Sequence, residues 1–281
     1  MPAPQASAMA MLAKQQFASF NLSVPQKWQD PQEKVAADHY PQAFEKNEKS
    51  VAPPVGAPLL FQTATANRYH TDTAQELHDR FADYLDGICA AICQAWSAWQ
   101  SAASISGVVV NAVAASAGQV AGPPWMPAIL GSAPMDTDME AKYSKAIAAA
   151  VSDGWQSYQS SISVPGLPWY PAFAAVPAPV APPAPNVPVP IAALTQVTAS
   201  IGKSALKQAM IGNLGDSQAH YHEQLFDAVA DAFEKSFQTW QASTMVTNVL
   251  GTGPVPSFNP PWVPVGPVVG GSGTMAPGGL Q

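Results

Sequence analysis

The sequence predicts a mainly α protein: three repeated amphipathic helices plus an accessory helix, joined by long extended Pro/Gly/Val-rich arms with little β structure. Apolar residues recur at helical spacing in three separate stretches, and each stretch runs into Ser, Val, Gly and Pro, where a helix stops. With 29 prolines and 19 glycines in 281 residues, much of the remaining backbone has to be extended or turning.

The three stripes share one spacing. Tyr84, Ile88, Ile92, Trp96 and Trp99 are followed by Gln100, and Tyr143, Ile147, Val151, Trp155 and Tyr158 by Gln159. Leu225, Val229, Phe233, Phe237 and Trp240 are followed by Gln241. Steps of four and three hold these side chains on one helix face. Each stretch is closed by Pro-Trp, at Pro124-Trp125, Pro168-Trp169 and Pro261-Trp262. The shared aromatic-Gln ending and Pro-Trp closure favour true internal repetition over three chance stripes, and stacked repeats share a core.

Composition bounds the function. Hydrophobic residues make up 47% and charged residues 11%, so much apolar surface needs covering, with partner subunits the natural cover. A net charge of −7 with only 12 Lys and Arg supplies no basic patch, so no nucleic acid is expected as a partner. Met1 to Phe20 has Lys14 as its one charge and does not read as a secretory signal. Prolines break the most apolar run, Val164 to Leu194, so no membrane span is expected.

Residues 1–58 read as an N-terminal extended arm, punctuated by proline, with a short amphipathic helix from Ala6 to Phe20. On its own this segment should not fold; it is expected to be ordered by lying on the rest of the protein or on a neighbour. Residues 59–250 read as the helical repeat core. Leu59 to Asn67 is an extended lead-in, and the first repeat helix starts at Thr71 or Asp72 and runs to about Ser101, with Gly87 marking a close helix contact. Ile105 to Val113 is β-branched enough for a strand. The second repeat helix opens on the capping box Thr137-Asp138-Met139-Glu140 and runs to about Ser161. A Pro-rich insert at 171–190 follows as polyproline II or a covered extended segment. Ile191 to Ile211 reads as the accessory helix, and Asp216 or Ser217 caps the third repeat helix, which runs to about Val246. Residues 251–281 read as a C-terminal extended Pro/Gly-rich arm.

Few constellations suggest chemistry. His220 and His222 beside Glu223 would point apart on a helix and are expected as a solvated first turn. His78 near Asp79 and Asp83 reads as a surface histidine, and His39 and His70 have no evident partner. Cys89 and Cys93, four apart on a helix, have nearly parallel side chains, so they are expected as two buried thiols rather than a disulfide or zinc site. No nucleophile elbow, phosphate loop, zinc-protease or dinucleotide motif occurs in a suitable context. No catalytic residue, cofactor or metal is therefore expected. The helical aromatics are expected in the core. Trp125, Trp169, Trp262 and Phe258, in Pro-rich loops, are the candidate interface anchors.

Amphipathic helices that end in segments such as Val246-Thr247-Asn248-Val249-Leu250-Gly251-Thr252-Gly253-Pro254 and Gly266-Pro267-Val268-Val269-Gly270-Gly271 resemble minor structural proteins of tailed bacteriophages and contractile injection particles. The resemblance is compositional, covers residues 72–275 and transfers no site residues. It implies a non-enzymatic tail, baseplate, neck or decoration subunit, present in several copies, whose arms join copies of itself and other structural subunits. The implied location is a virion or extracellular particle assembled in the bacterial cytoplasm. The alternative is a secreted or surface protein that binds carbohydrate or peptide through its loop aromatics. The assembly reading predicts association of the purified protein, and a monomer that binds a glycan would count for the alternative.

Overall fold

A computed structural model of the chain describes residues 2–20, 66–112, 114–168, 179–259, 263–264 and 266–281, with the backbone alone for 66–76, 258–259 and 263–264. The chain divides into two compact bodies, one of Met1–Phe17 with Leu85–Gln281 and the other of Ala18–Tyr84. In the smaller body the described part is the last residues of one helix and the first half of the next. The larger body carries everything below.

Six α-helices occur among the described residues: α1 (Ala6–Ser19), α2 (Ala66–Ala102), α3 (Trp125–Leu130), α4 (Asp138–Ser161), α5 (Lys203–Leu214) and α6 (His222–Ser243). The stripes of α2, α4 and α6 face one another. From Ile88 on, all the first-stripe residues are at most 1% exposed, and Ile147, Val151, Trp155 and Tyr158 match them. Trp96, Trp155 and Phe237, the fourth residue of each stripe, meet as a trio: Trp96 lies 5.0 Å from Trp155 and 6.4 Å from Phe237 between ring centroids, and Trp155 lies 6.2 Å from Phe237. Equivalent positions of three helices thus surround one axis. The capping box holds at α4, where Thr137 accepts from the Glu140 amide and the Glu140 carboxylate accepts from the Thr137 amide.

The strands overturn the expected mainly α class. A six-stranded antiparallel sheet makes the protein mixed α/β, with order β3-β2-β1-β10-β7-β4. Its members are β1 (Ser104–Asn111), β2 (Ala114–Ala121), β3 (Ser163–Pro168), β4 (Val180–Ala184), β7 (Val249–Pro254) and β10 (Gly271–Met275). Two-residue strands β5 (Val189–Pro190) and β6 (Met245–Val246) pair with each other, as do β8 (Phe258–Asn259) and β9 (Val263–Pro264).

The strand order repeats the logic of the helices. The first repeat supplies α2 with the hairpin β1–β2, the second α4 with β3 and β4, and the third α6 with β7 and β10. The first strand of each repeat pairs with the second strand of another: β1 with β10, β7 with β4, β3 with β2. That is a ring of three hairpin pairs, opened within the second pair, so that β3 and β4 become the two sheet edges. After β4 the chain turns back to the β3 edge, where Val187 N donates to Pro168 O at 3.0 Å and Thr195 pairs with Ser163. Glycine permits the tightest contact in the sheet, since a Cβ on Gly253 would run into the Gly271 backbone.

Of these strands the sequence shows β1, read as Ile105 to Val113; the others went unread because their inward residues are small and their alternation weak. In β2 and β10, Ala, Gly, Ser and Thr dominate, so no apolar period of two stands out. The presumed C-terminal arm therefore supplies two central strands, and the end of the Pro-rich insert supplies β4 as an edge strand, where proline is tolerated. The accessory helix is shorter than expected. Ile191–Ala193 and Ala199–Ile201 are single 3₁₀ turns, and the α-helix starts at Lys203. It ends on Gly215 in the left-handed conformation. The third repeat helix starts at His222 rather than at residue 216 or 217, because Tyr221 takes the left-handed conformation just before it and breaks the helical path; the Asp216 carboxylate accepts from the Gln218 amide in the turn ahead. The first starts earlier, at Ala66; the lead-in before it, residues 59–65, is outside the described residues. The N-terminal segment is helical as expected, and Met9, Ala13 and Phe17 are buried.

Two stability outcomes follow from this packing. Phe233, fully buried, should cost about 3–5 kcal/mol when replaced by Ala, read from denaturant unfolding. Gly87 faces the Pro134 ring closely enough that an added Cβ would clash. Gly87→Ala should therefore lower the melting temperature, despite a helix-propensity gain of about 1 kcal/mol.

Candidate functional site

The most concentrated chemistry lies where the stripes end. Trp99 Nε1 donates to Gln159 Oε1 at 2.6 Å, and Trp240 Nε1 donates to Gln100 Oε1 at 2.9 Å. The terminal aromatic of the first helix thus reaches the glutamine of the second, and that of the third reaches the glutamine of the first. The third link of this ring would run from Tyr158 to Gln241. Tyr158 instead donates its hydroxyl to Gln196 Oε1 at 2.8 Å, because the segment between the two 3₁₀ turns comes in beside it. Gln100 Nε2 in turn donates to Leu280 O at 3.2 Å, which ties the third repeat's tail to the first helix. The aromatic-Gln ending is therefore a set of inter-helix bonds, and burial raises the Tyr158 hydroxyl pKa well above its ordinary value.

Around these bonds the indoles fill space. Trp125 stacks on Trp155 with centroids 4.2 Å apart, and Trp99 meets Trp155 edge-on at 4.8 Å. The buried Nε1 atoms of Trp96, Trp125 and Trp155 have no hydrogen-bond partner. An open cleft of about 210 Å³ lies beside Pro123, Pro124 and Gln156. Two of its polar walls are engaged: Ser152 Oγ accepts from the Met126 amide at 3.2 Å, and Gln159 Oε1 accepts from Trp99.

A second polar cluster joins α1, α5 and α6. Lys203 Nζ lies 2.8 Å from Asp227 and 3.2 Å from Asp231, Lys207 lies 3.3 Å from Asp227, and Lys235 lies 2.6 Å from Asp231. Gln16 Nε2 donates to Asp227 at 3.0 Å. Burial works against the Asp227 carboxylate, but hydrogen bonds from Lys203 and Gln16, with the charges of the lysines, outweigh it and hold the pKa below the ordinary value. Burial likewise opposes the charged form of Lys203, and hydrogen bonds to Asp227 and Asp231 outweigh it, so its pKa lies above the ordinary value. The α6 carboxylates Asp227 and Asp231 thus belong to an organised ion-pair network that fixes α5 against α6.

Of the predicted anchors, Trp125 is only 2% exposed and belongs to the aromatic core, so it does not serve as a surface anchor. The sequence placed it in a loop, but it opens helix α3, which turns its ring inward. Trp169 and Trp262 are outside the described residues, and Phe258 lies in β8 with its side chain outside them. Cys89 and Cys93 are buried free thiols. Burial, with the Cys93 and Asp86 charges, raises the pKa of Cys89, and burial pushes Cys93 up to about 12. Cys93 Sγ lies 3.6 Å from Met9 Sδ of α1. His222 is buried, with Nδ1 2.6 Å from Ala219 O, so that nitrogen carries its proton; His220 is exposed and the pair does not converge. No group of three His, Cys, Asp or Glu that would hold a metal occurs among the described residues, and none of their helices is long and apolar enough to cross a membrane.

No family model, curated protein or solved structure matches the chain.

The ion-pair network gives a pH dependence with a definite sign. Asp227, with its folded pKa depressed, contributes stability above its ordinary value of 3.8 that disappears as pH falls through the folded value. Lys203, with its folded pKa raised, contributes stability below its ordinary value of 10.5 that disappears as pH rises through the folded value. Melting temperatures should therefore fall at both extremes, and Asp227→Asn should flatten the acid limb.

Proposed function

We propose that the protein is a non-enzymatic structural subunit of a large multi-protein assembly, of the phage-virion or contractile-injection type. The observation that carries this reading is the cyclic arrangement of three helix-hairpin repeats around one aromatic axis. One chain thereby offers three related faces about an axis, the geometry needed by a subunit that meets neighbours disposed around a symmetry axis. The low charge, 11% of residues, supports the same reading, since a surface with few charges suits burial against copies of itself or other structural subunits.

The N-terminal helix supports the mode of joining. Through Met9, Ala13 and Phe17 it packs within the larger body, with Lys14 paired to Asp86 at 2.8 Å, so a segment remote in sequence is held by helix packing. A neighbour's N-terminal segment can dock in the same way. The alternative, a glycan- or peptide-binding protein using loop aromatics, loses Trp125 to the core.

Light scattering and negative-stain electron microscopy of the purified chain test the proposal. Rings or larger regular particles, with association that weakens on deletion of residues 1–17, are expected. A monomer at all concentrations, with a glycan bound at micromolar affinity, would overturn it.

A further inference from the structure

We draw no further inference here: the strongest candidate, the open cleft that Pro123, Pro124, Gln156 and Gln159 line beside Trp125 and Trp155, carries nothing, because the unpaired indole Nε1 atoms of those two tryptophans are themselves buried and nothing in the structure shows what covers it.

Discussion

The contact of Trp96, Trp155 and Phe237 around one axis is the constraint on which the rest of the larger body depends. Three helices bring rings from equivalent positions to within 5.0–6.4 Å of one another, and that fixes both their rotation and their level along the axis. Each helix is then followed within a few residues by a strand of the sheet, β1, β3 and β7. The Trp-to-Gln bonds secure this level. A helix shifted by one turn would leave Trp99 and Trp240 with buried, unpaired N–H groups, a cost of about 1–3 kcal/mol each.

Departures from the ring are concentrated in the second repeat. There the terminal residue is Tyr158 rather than tryptophan, its hydroxyl goes to Gln196, and β3 and β4 stand at opposite edges. The path of the chain after β4 accounts for the partner of the Tyr158 hydroxyl. The chain between β4 and α5 passes beside the end of α4, where Ser200 Oγ donates to Gly154 O at 3.0 Å and the lack of a side chain on Gly154 leaves room for the Ser200 backbone. The Lys203–Asp227–Asp231 network then clamps α5, which follows, against α6.

The helices were legible because large side chains wrote their period. Tyr84 to Trp99, Tyr143 to Tyr158 and Leu225 to Trp240 each repeat a four-residue step that chance rarely supplies, and the shared glutamine marked what became a hydrogen-bonded joint. Beyond β1, whose β-branched run marked it, the sheet was not legible. Its inward positions include Ala115, Ala181, Gly251, Gly253, Gly271 and Gly273, small because opposing strands come close, and small residues write no period. The Pro-Trp closure misled for a related reason: proline beside tryptophan signals a turn, but whether the ring faces solvent or core depends on the element that begins there, and at Trp125 that element is a helix.

The pairing of β1 with β10 joins residues near 105 to residues near 275 at the middle of the sheet. On the ribosome the first hairpin emerges long before its central partner, and its β-branched run Val108-Val109-Val110 has one edge open for nearly all of that time. The sheet therefore closes only as the last strand arrives, a long-range step that makes folding slow for its size.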